Sequence, residues 1–386
     1  MEIRYNYTMV KRNINIRTLL FLLLISILPV MVVYAPFVLH LESLWGIPLK
    51  SSGMQQIFAN WDGPNYVLNA ITLYDPLEIA KRAFLARPNE YYAAHFPLFS
   101  FFIRFFAPLT GYFWSAIIVQ VISGMLLNFA FYFWMKPHTK HALWLTLAFT
   151  VFPPRYWILR VVISPELLLV LCVIGVFYFW QKEKPIISGL IAMIAVTIKF
   201  QALVFVPMYL LVLGERWWRE RKIQLNHAIV PLLPILGYAL IALFYQLKFG
   251  DWNVYFFAQK LVGMSSSIPF GMFNYAEKWV STGWMEATAL YFVAMIVLLF
   301  KLAKGYPRIY FWFTFCYIGM LSIIPQVDIM RLAMPLAPLF FLAFHEALSS
   351  KVFRYGLIAS LPILYLHAIN FIMTNQAPIA DWGLFR

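Results

Sequence analysis

The chain has 386 residues, 62% hydrophobic and 12% charged, and its 30 Lys and Arg against 16 Asp and Glu give a net charge of +14. This composition excludes a string of soluble domains, because nearly every long stretch is an apolar run of membrane length. The basic residues fall in short clusters between those runs, as cytoplasmic loops facing anionic headgroups do, and not in a groove suited to nucleic acid.

The expected fold is therefore an all-α polytopic membrane protein, one integral-membrane domain over residues 1–386. Arg4, Lys11, Arg12 and Arg17 precede the first apolar run, 18–39, and place the N-terminus in the cytoplasm. That run is too long for a signal-peptide core and reads as an uncleaved transmembrane helix. Residues 41–95 then form a long external loop, broken by Pro64, Pro76 and Pro88 and suited to short interfacial helices. The stretch 95–109 is too short to span and reads as a half-helix entering from outside.

Further runs lie at 112–135, 142–159 and 163–180. Residues 185–214 have basic loops on both flanks, so the segment must go out and return, with Lys199 as its turning point. Runs at 227–249, 286–303, 309–325, 332–348 and 355–373 follow, with a second external loop at 250–285. Residues 96–373 thus hold the remaining spans, for a total of about 11 (range roughly 8–12). Cys172 and Cys316 sit inside apolar runs and read as packed thiols, with no disulfide.

Placed on this topology, Asp62, His95, Arg155, Arg160, Glu166, Lys199, Asp328 and Arg331 all fall near the outer ends of helices. An ionisable group deep in a bilayer costs roughly 2.5–3.5 kcal/mol on insertion scales, so such groups face a cavity or a partner. One polar cavity open to the outside accounts for them together. Each also has a plainer reading. Asp62, between Trp61 and Gly63-Pro64, serves equally as a helix cap, and His95 caps the half-helix. Glu166 after Ser164-Pro165 is ordinary helix-start chemistry, and Asp328 and Arg331 are spaced to pair with each other. Lys199, alone in an apolar hairpin beside Gln201, is the hardest to explain by packing.

There is no Gly-rich phosphate loop, no paired-Cys or HExxH metal site and no GxSxG elbow. No cofactor is indicated; Asp62 with Glu166 could make half a divalent-metal site, yet nothing in their spacing demands one. A lipid-linked phosphate would find cationic partners in Lys199, Arg331 or Arg160.

The order of short motifs resembles the GT-C superfamily of integral-membrane glycosyltransferases, and within it the PIG-V-type mannosyltransferases and their prokaryotic relatives. Asn60-Trp61-Asp62-Gly63 resembles that family's Arg-Trp-Asp-Ala/Ser, and Ala94-His95-Phe96-Pro97-Leu98-Phe99 its Phe-Phe-Pro-x-x-Pro. Phe152-Pro153 through Ser164-Pro165-Glu166 resembles a Ser-Pro…Tyr-Ser-Glu segment. Thr197-Ile198-Lys199-Phe200-Gln201 stands where the family has Thr/Gly-x-Arg-Ser-Asn. Pro165 is inserted into the Ser-Glu pair, and Lys-Phe-Gln replaces Arg-Ser-Asn.

The resemblance implies a polyprenyl- or dolichyl-phosphate sugar donor, a lipid- or glycan-linked acceptor hydroxyl, and inversion at the anomeric carbon. It makes Asp62 the general base and Lys199, Arg331 and Arg160 the donor-phosphate ligands. Trp61, His95, Glu166, Gln201 and Asp328 support the site. The very short soluble loops favour a prokaryotic plasma membrane over an endoplasmic reticulum, with the active site extracytoplasmic. Two alternatives stand beside this reading: a non-enzymatic transporter or flippase of a lipid-linked sugar, and a GT-C enzyme that transfers aminoarabinose, glucose or arabinose.

Overall fold

In an apolar surrounding the backbone must satisfy its own hydrogen bonds, and this chain does so with helices from end to end. The computed structural model describes residues 15–49, 53–60, 62–262, 268–275, 282–324 and 328–385. Among these, five helices are long and apolar enough to cross a membrane: Ile16–Val38, Tyr112–Met135, Leu225–Phe249, Trp284–Leu302 and Lys351–Thr374. Counting the bent pair Pro154–Val161 and Glu166–Gln181 as one span makes six. The protein is an all-α membrane protein.

Other apolar runs form shorter helices of 10–17 residues, including Pro97–Thr110, Ala142–Val151, Pro185–Ile198 and Arg308–Ile323. Two runs expected to be continuous are broken. The 142–159 run divides into Ala142–Val151 and Pro154–Val161 at Phe152-Pro153, because Pro153 and Pro154 lack the N–H groups a continuing helix requires. The 332–348 run becomes the turn Met334–Leu336 and the short helices Ala337–Ala343 and His345–Leu348; Pro335 and Pro338 interrupt it before Ala337–Ala343 for the same reason.

The chain packs as two units. The first comprises the described residues of Met1–Arg87, Leu98–Leu171 and Phe344–Arg386; the second comprises Pro88–Pro97 and the described residues of Cys172–Ala343. In the first unit Ile16–Val38 packs on Tyr112–Met135, Ala142–Val151 and Pro154–Val161. Polar side chains pin this packing: Tyr34 donates to the Val161 carbonyl at 2.6 Å and the Trp157 indole to that of Pro29 at 3.0 Å. After a small hairpin, Ser43–Leu44 with Ile47–Pro48, come the short helices Gln55–Phe58, Gly63–Thr72 and Pro76–Arg82.

In the second unit Pro185–Ile198 ends at Lys199, whose backbone is extended, and the chain re-enters helix at Phe205–Glu220 after a 3-10 turn. Ser188 and Tyr209, nearly equidistant from Lys199 along the chain, share a hydrogen bond of 2.7 Å. The chain therefore turns back on itself at Lys199. Pro185–Ile198 also lies against Leu232–Phe249, and glycines make the contact close. A Cβ at Gly237 would stand 2.6 Å from the Met193 carbonyl oxygen, and one at Gly189 would stand 2.5 Å from Leu233 Cδ1. Helices approach this way where apolar solvent supplies no hydrophobic drive and backbone contact must serve. Glu215 fastens Phe205–Glu220 to Arg308–Ile323, accepting from Arg308 Nε at 2.8 Å and the Trp312 indole at 2.6 Å.

Candidate active site

Asp62 occupies the N-cap position of Gly63–Thr72, where an aspartate ordinarily accepts from the exposed first-turn amides. Its main-chain carbonyl does accept from the Asn65 and Tyr66 amides at 2.9 and 3.1 Å, yet its side chain makes no capping bond. Asp75, thirteen positions on and also followed by a proline, shows what capping looks like in this chain. Its Oδ1 accepts from the Leu77 and Glu78 amides at 2.8 and 3.1 Å. Of these two aspartates only Asp75 engages its carboxylate in the cap; Asp328, at the start of Ile329–Leu332, makes no side-chain capping bond either.

The helix behind Asp62 is firmly held. Its residues Gly63–Ala70 are all buried, and the carbonyl of Tyr66 accepts from Ser100 at 2.9 Å. At its far end Arg104, the one cation on Pro97–Thr110, donates to the carbonyls of Ala70 and Ile71 at 2.9 Å each. A cation on the last carbonyls satisfies acceptors the helix cannot and suits the negative end of its dipole. At the near end Gly63 lies against the break between Pro154–Val161 and Glu166–Gln181. A Cβ there would come within 3.0 Å of Ile163 Cβ. That contact brings the Asp62 loop to the segment carrying Ser164, Pro165 and Glu166, so the first and third sequence motifs meet.

The break itself is a sharp one, 115° between the two helices. Gln120 bridges it, donating to the Leu159 carbonyl on one side and accepting from the Ser164 amide at 3.2 Å on the other. Arg160 is buried just behind. Its Nε donates to the Thr150 carbonyl at 3.1 Å, one terminal nitrogen to Gly124 O at 3.3 Å, and the other to Asn128 Oδ1 at 2.7 Å. Asn128 in turn donates to Ser26 at 2.8 Å. Arg160 is 1% exposed, so its guanidinium ties three helices together instead of facing a cavity. This departs from its expected role as a phosphate ligand: an arginine with its forks committed to buried acceptors has little left to offer a donor.

The second unit assembles the other two motifs. Phe96 packs against Phe200 and Tyr255 at ring-centroid distances of 6.3 and 4.9 Å, and Phe200 stacks on Tyr255 at 4.7 Å. Tyr245 donates to the Ala93 carbonyl at 2.8 Å, fixing the chain just ahead of His95. His95 is buried, while Lys199 and Gln201 flank Phe200 and are half-buried. Asp328 and Arg331 pair across one short turn, Oδ2 to Nε at 3.4 Å, as their spacing allowed. Trp61 lies outside the described residues. Among the described residues no three or more His, Cys, Asp or Glu are grouped so as to hold a metal ion.

Arg104, Gln120 and Asn128 do structural work that the sequence reading overlooked. The signals were there: one arginine in an otherwise apolar half-helix, and Gln120, Gly124 and Asn128 at four-residue intervals along Tyr112–Met135, a polar stripe on an apolar helix.

No family model and no curated protein matches this sequence. Solved structures do. The apo form of the Archaeoglobus fulgidus oligosaccharyltransferase aligns over 94% of this chain and 57% of its own, with 10% identity and a TM-score of 0.50. The same enzyme in complex with zinc and sulfate aligns over 95% of this chain and 54% of its own, with 12% identity and a TM-score of 0.49. The chain therefore spans a little over half the length of the structures it matches. At such identity the likeness of the apo form speaks for fold alone, and the fold is GT-C.

Proposed function

We propose that the protein is an inverting GT-C glycosyltransferase that moves a sugar, with mannose the leading candidate, from a polyprenyl- or dolichyl-phosphate donor to a lipid- or glycan-linked hydroxyl. The observation that carries the reading is Asp62, a carboxylate at a helix start, on a buried and anchored helix, that takes no part in capping it. In the proposed reaction Asp62 accepts the proton of the acceptor hydroxyl as that oxygen bonds to the anomeric carbon. The bond from this carbon to the donor phosphate breaks on the opposite face, and the lipid phosphate departs with the electron pair. The leaving group is already a stable anion, so base catalysis, typically worth 10²–10⁴-fold, matters more here than an acid.

Lys199 and Arg331 are the proposed ligands of the departing phosphate, with Glu166, His95, Gln201, Asp328 and Trp61 supporting. Arg160 is not included, since its donors already serve Thr150, Gly124 and Asn128. No step passes through a metal.

The test is turnover by purified protein in lipid, given a panel of radiolabelled polyprenyl-phosphate sugars, for wild type beside Asp62→Asn. Release or transfer from one donor, lost in the variant while donor binding survives, is the expected result. Undiminished turnover in Asp62→Asn removes the base, and binding without turnover in both proteins points to a missing acceptor or to a carrier role.

A further inference from the structure

The segment after the last long helix, 375–385, returns to the first unit's Asp62 loop and crosses it. Gln376 forms an antiparallel bridge with Asn60, two residues before Asp62, and the Ala377 amide donates to the Ala59 carbonyl at 2.8 Å. Asn60 is fully buried and donates from Nδ2 to the Ile372 carbonyl at 2.9 Å. The Gln376 side chain reaches the Gln56 carbonyl at 3.4 Å. The loop is thus tied at residues 56, 59 and 60, immediately upstream of the proposed base.

The other end of the segment is also docked. Trp382 and Phe385 pack on Phe113 at 5.3 and 5.0 Å, and Phe385 meets Phe84 at 5.5 Å. Phe113 stacks at 4.8 Å on Phe58, which closes the circuit back to the loop. Arg82, at the end of Pro76–Arg82, donates to the Leu384 carbonyl at 3.0 Å. A short polypeptide held at one end by main-chain bonds and at the other by aromatic rings acts as a strap.

We infer that residues 375–385 are a positioning strap for the catalytic loop, with Asn60, Gln376 and Ala377 its fastening. This rests on the reading of Asp62 as the base. Downstream, Gly63 against Ile163 holds the loop from one side; upstream, the strap holds it from the other. Misplacing a reacting group by about 1 Å costs on the order of 10²-fold in rate, so this fastening acts on turnover, not on donor affinity.

The experiment uses the whole protein in lipid nanodiscs with three changes: Ala377→Pro, which removes one amide donor; Trp382→Ala, which loosens the far end; and deletion of residues 376–386. Hydrogen exchange is followed across 55–66, and kcat and KM are measured with the active polyprenyl-phosphate sugar. The expected outcome is faster exchange at 57–62, with kcat reduced about 10- to 100-fold and donor KM unchanged. Unchanged exchange in Ala377→Pro and in the deletion overturns the strap. So does faster exchange with normal kcat. If wild type turns over no donor, the functional reading falls by itself, and the exchange data still decide whether the strap holds the loop. Trp382→Ala keeps the question answerable should the deletion fail to fold.

Discussion

Gln120→Leu is the most informative stability test of the helix break beside Asp62. The wild-type side chain satisfies two backbone groups at once, the Leu159 carbonyl and the Ser164 amide. Both residues are buried, at 0% and 2% exposure, as is Gln120 itself. Leucine fits the volume but leaves both groups without that partner, and each orphaned buried group costs about 1–3 kcal/mol. Apolar burial of the leucine returns about 1 kcal/mol, so the net loss is about 3 kcal/mol. Membrane-embedded side-chain bonds often measure nearer 0.6 kcal/mol, because the unfolded chain in the membrane also finds partners. Ser164 lies in the break between helices, so its amide belongs to the costly class. Ser123→Ala supplies the contrast: Ser123 donates to the Val119 carbonyl one turn back, which already accepts within its helix, and the change should cost under about 0.5 kcal/mol. Reversible unfolding in mixed micelles measures both. Equal effects from the two substitutions would refute the reasoning.

Two further outcomes follow from groups outside the membrane-spanning helices or at their ends. His138, in the turn after Met135, is held down to about 4 by burial and by the neighbouring His345, so it is neutral in the folded state. The unfolded chain binds the proton first, so stability is complete above the ordinary histidine range and falls as pH drops from about 6.5 to 4, by about 2 kcal/mol at pH 5. His138→Gln should flatten the pH dependence of Tm across that window, and an unchanged slope would place the titration elsewhere. Glu215→Gln keeps one acceptor oxygen and puts an amide nitrogen at the other, so it cannot accept both from Arg219 at Oε1 and from Arg308 and Trp312 at Oε2, and should lower stability by about 1–3 kcal/mol in the same unfolding assay. No loss would mean the three donors find other acceptors.

The apolar runs made the helical membrane class plain, because hydrocarbon length and backbone satisfaction leave few alternatives. The helix break at Lys199 was also legible, since basic loops on both flanks called for a turn within 185–214. The division of 142–159 was not foreseen although Pro153 and Pro154 announced it; hydropathy smooths over a proline pair that hydrogen-bond accounting does not. Arg160 misled for a deeper reason. A cation in an apolar stretch suggests an anionic partner, yet here backbone carbonyls and one asparagine serve, and carbonyls leave no mark in a sequence. The return of 375–385 onto the Asp62 loop was invisible for a related reason, since the main-chain bond between Ala377 and Ala59 carries no side-chain code. At the candidate site, the sequence offered Asp62 as cap or base, and the lack of a side-chain capping bond there supports the proposal of a base.

The Arg160 network also bears on the order in which the protein is made. Its three acceptors, at Gly124, Asn128 and Thr150, all precede it in the chain, as does Ser26 behind Asn128. Synthesis runs from the N-terminus, so the pocket's walls leave the ribosome before the charge that fills it. An arginine inserted alone would pay the full penalty of an apolar medium. Here each ligand it needs is already waiting, and the reverse arrangement, charge first and acceptors later, would expose a nascent chain to that cost for as long as translation took to catch up.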